Sequence, residues 1–423
     1  METVPPASVR ASQLKTIGVL FVVLHVTILF LYTPQGLLNA YIDFQHYYRV
    51  ARLSEQGYLP FINSWSEHPP LQAYTSQAVY SFVRSFMPAG EFTTPTYQFF
   101  ARMLSLVMLI FETGVLILIH RIAARAWDLE RANWLAWVYT TLSVPLFYWN
   151  ASQTSNFVFF TLLTVYWFIT NKHTASAVSL ALGMLIKLTP VFLIGAVARF
   201  LWPASKPIAR YVILVAVVFA LAFVPFVLLG GGAWTIASLA SNGVRASWST
   251  PWALIDGNWG VGDVGDVLAR TQLDLAYKVY GNPPTIPWVA GIIVFGLIFL
   301  WLFRRPIDQR SPRHFIWFTT LTLLLFHLWS KGWSPAWATL IIPFILLSFP
   351  DQRGLRLTLL LSAIVLIEWP LADAVGSRAL LALSILSRIT LFMVVIVMII
   401  RQLRQPGASF PAQPAKIVES SPP

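Results

Sequence analysis

Apolar runs of about twenty residues recur along this chain from residue 15 to residue 400, and nothing else in it restricts the fold as severely. About 20 apolar residues in helical form span the ~30 Å hydrocarbon core of a bilayer. In that solvent every backbone N–H and C=O must find a partner within the protein, which favours helices for runs of this length. Composition agrees. Of 423 residues, 57% are hydrophobic and only 11% charged, against about 25% charged in a soluble domain. So little charge cannot cover a water-facing surface. The expectation is an all-α polytopic membrane protein.

The runs fall near 15–38, 98–120, 132–148, 155–171, 174–187, 189–202, 209–230, 286–303, 314–330, 335–349, 355–371 and 379–400. That makes about twelve, with 174–187 and 189–202 short enough to form one broken pair. The first run is too long for a signal-peptide core and is followed by no small-residue cleavage site, so it is expected to stay as the first span. The net charge of +12 would point to nucleic acid in a soluble chain. Here its placement decides, and nucleic acid is not an expected partner. Arg10 and Lys15, Arg121, Arg125 and Arg131, Lys172, Arg199, Lys206 and Arg210 alternate along the chain with loops rich in acid. Arg304, Arg305, Arg310, Arg313, Arg353, Arg356, Arg401 and Arg404 continue the pattern. The positive-inside rule puts this set in the cytoplasm. Both termini then lie inside a plasma (inner) membrane, and two large loops, 39–97 and 231–285, face outward. A membrane domain over 1–404 and a disordered Pro/Ala/Ser-rich cytoplasmic tail over 405–423 complete the plan. The chain has no cysteine, which excludes disulfides and thiolate metal sites.

Polar chemistry gathers in the first loop. Asp43 follows the first run in the company of Tyr41, His46, Tyr47, Tyr48 and Arg49, and Glu67-His68-Pro69-Pro70 follows in the same loop. A lone loop Asp is ordinarily just solvated. One at the water–lipid boundary can have its pKa raised by partial burial and serve as a general base. The two prolines stiffen the presentation of Glu67 and His68, and also suit the start of an amphipathic interfacial helix over 71–87, with Leu71, Tyr74, Ala78, Phe82 and Ser85 on one stripe. Two carboxylates and a His could hold a divalent cation, but their spacing is not diagnostic of one, and no metal ligand is assigned.

Further along, Lys187-Leu-Thr-Pro190 interrupts two apolar runs, and Ser330-Lys331-Gly-Trp-Ser-Pro335-Ala-Trp337 repeats the theme. Each lysine either snorkels to the interface or compensates a lipid-linked phosphate, which a cation does strongly at low dielectric. Glu112, mid-run, could pair with a lysine or arginine that the sequence does not place. His25, His327 and Glu368 read as satisfied packing or interfacial residues. Trp248, Trp252 and Trp259 either stack on sugar rings or, the slightly favoured reading, fill the core of their own loop.

At these positions the chain resembles the GT-C superfamily of membrane glycosyltransferases, and most of all its bacterial mannosyltransferase-type members. The resemblance rests on Asp43 after the first span, on Gly57-x-x-Pro60-Phe leading to Glu67-His68-Pro69-Pro70-Leu71, and on Lys187-x-x-Pro190 and Lys331-x-x-Ser334-Pro335, all scattered over residues 15–349. No second acid stands beside Asp43, and Glu67-His68 replaces a more usual Glu-Tyr. The resemblance implies a GT-C-like bundle of about twelve helices that transfers a sugar, with inversion, from a polyprenyl-phosphate donor to a lipid, glycan or protein hydroxyl at the outer face. Asp43 would be the base, with Glu67 beside it. His46, Tyr48, Arg49, His68, Lys187 and Lys331 would bind substrate. No nucleotide or other cofactor is implied, and no Gly-rich phosphate loop is present. A transporter or flippase of lipid-linked glycans, and a non-catalytic envelope scaffold, are the competing classes. The absence of an internal repeat speaks against the first.

Overall fold

The computed structural model describes residues 7–31, 43–90, 95–150, 152–260, 262 and 264–404. Tyr41, the end of the first apolar run (32–38), Glu91, Asp263 and the tail 405–423 lie outside the described residues. Within them the chain is helical, with isolated bridges Pro60–Ser64 and Trp248–Gly332 and no strand.

The helices are α1 (Ala7–Leu31), α2 (Asp43–Arg52), α3 (Pro70–Arg84), α4 (Pro95–Ala126), α5 (Leu129–Thr141), α6 (Ser143–Tyr148) and α7 (Ser155–Ile169). They continue with α8 (His173–Met184), α9 (Leu193–Leu201), α10 (Ser205–Leu221), α11 (Val224–Leu228), α12 (Gly232–Val244), α13 (Pro251–Asp256) and α14 (Trp288–Phe303). The last are α15 (Pro312–Trp329), α16 (Ala338–Ser348), α17 (Gln352–Leu366), α18 (Ala372–Val375) and α19 (Arg378–Arg404). Four stretches, Gln13–Leu31, Pro95–Ala126, Gln352–Val375 and Arg378–Arg404, are long and apolar enough to cross a membrane. Ser155–Ile169, Thr189–Leu201, Trp288–Phe303 and Pro335–Ser348 are apolar but shorter. Large side chains such as Val19, Val23, Ile213, Ile293, Leu297 and Leu383 stand exposed along α1, α10, α14 and α19. An apolar exterior of this extent suits lipid and not water.

The interior is assembled around α4, which packs on α1, α5 and α7, and around α16, which lies against α15 and α17. Phe100, Leu104, Met108, Val115 and Ile119 of α4 are fully buried there, as are Leu321, Leu324, Ile342 and Phe344 of α15 and α16. Glu112 pairs with no basic residue among those described. It accepts a hydrogen bond from the Tyr139 hydroxyl at 2.5 Å, because its depth in the α4–α5 contact offers a phenol and no cation. His327 also departs from expectation: both ring nitrogens are buried without a hydrogen-bond partner, and the ring packs among Trp333, Trp337 and Phe392.

Two breaks position the functional region. Helix α8 stops at Met184, and a 3-10 turn over Thr189–Phe192, with Pro190 in its first turn, leads into α9. The broken pair is therefore real, with Lys187 in the gap. Irregular backbone at such a place needs partners. One comes from α3, where the Leu71 amide donates to the Leu185 carbonyl at 2.9 Å. Helix α3 itself starts where the prolines require, with extended Pro69 preceding Pro70 at its first position. Of the expected stripe, Leu71, Ala78, Phe82 and Ser85 are exposed and Tyr74 is half-buried. The opposite face buries Gln72, Ser76 and Gln77, which hydrogen-bond to Tyr47, Gln153 and Ser54 respectively.

The second loop is an ordered cap of short helices: α12, α13 and 3-10 turns over Val267–Thr271 and Asp274–Tyr277. It meets the first loop at Gly231, where an added Cβ would lie 1.9 Å from the Phe61 carbonyl oxygen. Neither backbone can yield cheaply. Gly231→Ala is expected to destabilise the protein by about 1–3 kcal/mol, the usual cost of overpacking, read as a lower thermal midpoint in detergent.

Candidate functional site

The start of α2, the α8–α9 break, the α12–α13 segment and the turn 330–337 enclose one cavity of about 850 Å³. Asp43, His46, Arg49, Glu67, His68, Lys187 and Lys331 all line it, so the structure brings seven of the eight residues anticipated from sequence to one place. Tyr48 is the exception. It is fully buried, donates to the Gly90 carbonyl at 2.7 Å, and packs edge-on against Tyr80, Tyr97 and Phe100. On a helix the next residue points about 100° away, so with His46 and Tyr47 facing the cavity Tyr48 must face the core.

Asp43 is the first residue of α2, where the helix dipole favours negative charge. Its Oδ2 accepts from Ser152 Oγ at 2.5 Å and from the Tyr47 hydroxyl at 3.5 Å. Burial nevertheless raises the Asp43 pKa above its ordinary value, against the pull of the Ser152 hydrogen bond and the charges of Lys187 and His46. A carboxylate held this way is a stronger base than one in water.

Glu67 is built differently. Burial pushes its pKa up, but the Arg270 charge and the bond to His46 outweigh that and hold the carboxyl well below the usual range. Arg270, fully buried, donates from Nε to Oε2 at 3.1 Å and from Nη2 to Oε1 at 3.0 Å. Oε1 also contacts His46 Nε2. Both oxygens are thus committed, and the second acid of the site is an anchor. The contact also holds the His46 ring in place, with Nε2 turned to Glu67. His68 stays neutral at physiological pH, because burial lowers its pKa to about 3.

Besides Arg49, three cations line the wall: Lys187, Arg245 and Lys331. The Lys187 ammonium sits 4.0 Å over the Trp337 ring and 5.1 Å over Phe157, and it makes no ion pair within 4.0 Å among the described residues. Arg245 stacks on Trp248 at 5.8 Å, and its buried Nε has no hydrogen-bond partner. Lys331 donates from Nζ to the Gly243 carbonyl at 3.2 Å. Beyond them the lining turns apolar, with Phe192, Ile286, Trp288, Phe326 and Trp329 against the exposed helix α14. Trp248 and Trp252 are part of this cavity wall, which corrects their assignment to the loop's own core. The Trp248 ring packs tightly between Gly262 of its own loop and Gly332, where an added Cβ would fall 2.6 Å and 2.1 Å from it. Trp259 stays off the wall, beneath Arg378.

Arg245, Arg270 and Ser152 escaped the sequence reading. The two arginines carried a signal, since they are basic residues on a loop whose charge is otherwise mostly acidic. Among the described residues no group of three or more His, Asp or Glu gathers as a metal site. No protein-family model and no curated protein sequence matches the chain.

Proposed function

We propose that this protein is a GT-C-type inverting glycosyltransferase that moves a sugar from a polyprenyl phosphate to an acceptor hydroxyl at the outer membrane face. In this reading the apolar runs make a bundle of about twelve spans, both termini are cytoplasmic, and the cavity opens outward. One observation carries the proposal. A single cavity holds one carboxylate of raised basicity, four cations along its wall, and an apolar end beside a lipid-suited helix. That polarity matches a prenyl tail, a phosphate and a sugar in sequence.

The acceptor oxygen attacks the anomeric carbon while Asp43 takes its proton. The anomeric C–O bond breaks, and its electron pair stays on the phosphate oxygen, where Lys187, Arg245 and Lys331 stabilise the charge as preorganised electrostatics. His46, held by Glu67, borders the sugar together with Arg49 and His68. Inversion is favoured because, among the described residues of the cavity, no second carboxylate is free to act as a nucleophile. Glu67 is tied to Arg270, and Asp256 is tied to Ser247 Oγ at 2.6 Å and to the Thr285 amide at 2.7 Å.

The test is purified protein in lipid with a panel of labelled polyprenyl-phosphate sugars. Label moving to an added acceptor or to water establishes the activity and names the donor. Label that crosses the bilayer on its original lipid, with no transfer, replaces the proposal with a flippase. Lys187→Met is expected to weaken binding of sugar-free polyprenyl phosphate about tenfold or more, since a hydrogen bond to a charged group contributes about 1.5–3 kcal/mol. Unchanged binding removes Lys187 from the phosphate site.

A further inference from the structure

Glu368 and Arg388 form an ion pair with almost no solvent exposure, deep in the contact between the α17 end and α19. Arg388 donates to Glu368 from Nε at 3.0 Å and from Nη2 at 3.3 Å. Neither residue lines the cavity. Buried pairs of this kind are a poor source of cohesion, because well-packed neutral residues often do as well or better. Charges within an apolar bundle point instead to a specific task.

The remaining contacts of Arg388 show what the task is. Its Nη2 also donates to the Ser249 carbonyl at 2.6 Å, and its guanidinium lies 4.2 Å over the Trp333 ring. Ser249 has φ +47°, a left-handed conformation that a non-glycine residue holds only when its surroundings enforce it. On either side of Ser249 the chain is paired to the 331–333 turn. The Trp248 amide donates to the Lys331 carbonyl at 3.0 Å, the Trp333 amide to the Trp248 carbonyl at 3.1 Å, and Thr250 Oγ1 to the Lys331 carbonyl at 3.0 Å. These two segments are the cavity wall that presents Trp248 and Lys331. Glu368 sits at a kink, Ile367–Leu371, in which Trp369 leaves helical geometry at φ −152° and ψ 132°.

We propose that Arg388 and Glu368 are positioning residues for the donor site. Arg388 grips both segments of the cavity wall, at the Ser249 carbonyl and the Trp333 ring, and Glu368 holds Arg388 in the orientation that does so. This inference rests on reading the cavity as the polyprenyl-phosphate site. It predicts that the wall moves when the grip is lost, even if the helices stay packed.

The experiment compares wild type with the double variant Glu368→Gln/Arg388→Met, which removes both charges together, and with Ser249→Pro. Proline fixes φ near −65° and breaks the turn without touching the ion pair. Two readouts are taken on each folded protein: the KM for donor against kcat, and the labelling rate of Lys331 by an amine-directed reagent. The expected result for both variants is a KM raised about tenfold with a smaller change in kcat, and Lys331 labelled several-fold faster. Wild-type KM and wild-type labelling in Ser249→Pro overturn the inference, and the same holds for a stable double variant. Wild-type protein that binds no polyprenyl phosphate sinks the donor-site reading alone. The labelling comparison then still decides whether the pair seats the wall.

Discussion

Replacing Asp43 by Asn is expected to lower sugar transfer about 10²–10⁴-fold, the usual contribution of a positioned general base, with fold and donor binding retained. Asparagine keeps the shape of the side chain and can still accept from Ser152 Oγ through its amide oxygen. It cannot take a proton. Nor does it oppose phosphate binding, because the one carboxylate whose charge acts on Lys187 has gone. The wild-type rate should also carry the signature of this group. Below its pKa Asp43 is protonated and inert as a base, and above it the carboxylate is active. Since burial raises that pKa, the rate should climb with pH through a midpoint above the ordinary Asp value of about 3.9. Ser152→Ala removes the strongest hydrogen bond to the ionised form, so it should move the midpoint higher still. Initial rates across pH at saturating donor check both points. An Asp43→Asn protein with full activity, or a profile that ignores Ser152, would remove Asp43 from the role.

Much of this site was legible in the sequence because membrane chains spend charge sparingly. Asp43, Lys187 and Lys331 stood out as charges beside or between apolar runs, and the structure gathers all three around one cavity. The prolines at 69, 70 and 190 marked helix starts and a break, and they fall at those places. What stayed hidden depends on contacts far apart in the chain. Glu67 looked like a second catalytic acid because nothing near it in sequence could neutralise it, whereas its partner, Arg270, comes from the other loop. Arg388 and Glu368 lie 20 residues apart, with Glu368 at the kink over Ile367–Leu371, and nothing in the local sequence pairs them. Tyr48 failed for a simpler reason: three consecutive aromatic or imidazole side chains on a helix cannot all face the same way. Basic residues that break the cytoplasmic charge pattern, such as Arg245 and Arg270, turn out to be the most informative signal of this kind, since each needs a reason to be where it is.

Separating Glu67 from Arg270 is expected to be the most destabilising single change, about 3–5 kcal/mol for Glu67→Gln, because it leaves a buried guanidinium without its charge partner. Arg270→Met strands the carboxylate instead and should cost as much. The double variant Glu67→Gln/Arg270→Met should recover most of the loss, since no charge is left unpaired. Two residues around the pair tie the loops independently of its charge. Trp65 Nε1 donates to the Ala269 carbonyl at 2.9 Å, and the Ser66 amide donates to Ser238 Oγ at 2.9 Å. The sign of the pH effect follows from the depressed carboxyl. Glu67 contributes stability that is fully present above the unfolded value of about 4.3 and is lost as pH falls through the lower folded value. The gap in thermal midpoint between wild type and Glu67→Gln should therefore be widest near neutrality and close in acid. If the gap holds constant with pH, or the double variant is as unstable as the singles, Glu67 is not acting as the ionised anchor. Activity then separates anchor from acid. The double variant should fold yet transfer more slowly, because His46 has lost the carboxylate that holds its ring in place, and the deficit should be smaller than that of Asp43→Asn. A loss as large as that of Asp43→Asn in a stable double variant would return Glu67 to the chemistry itself.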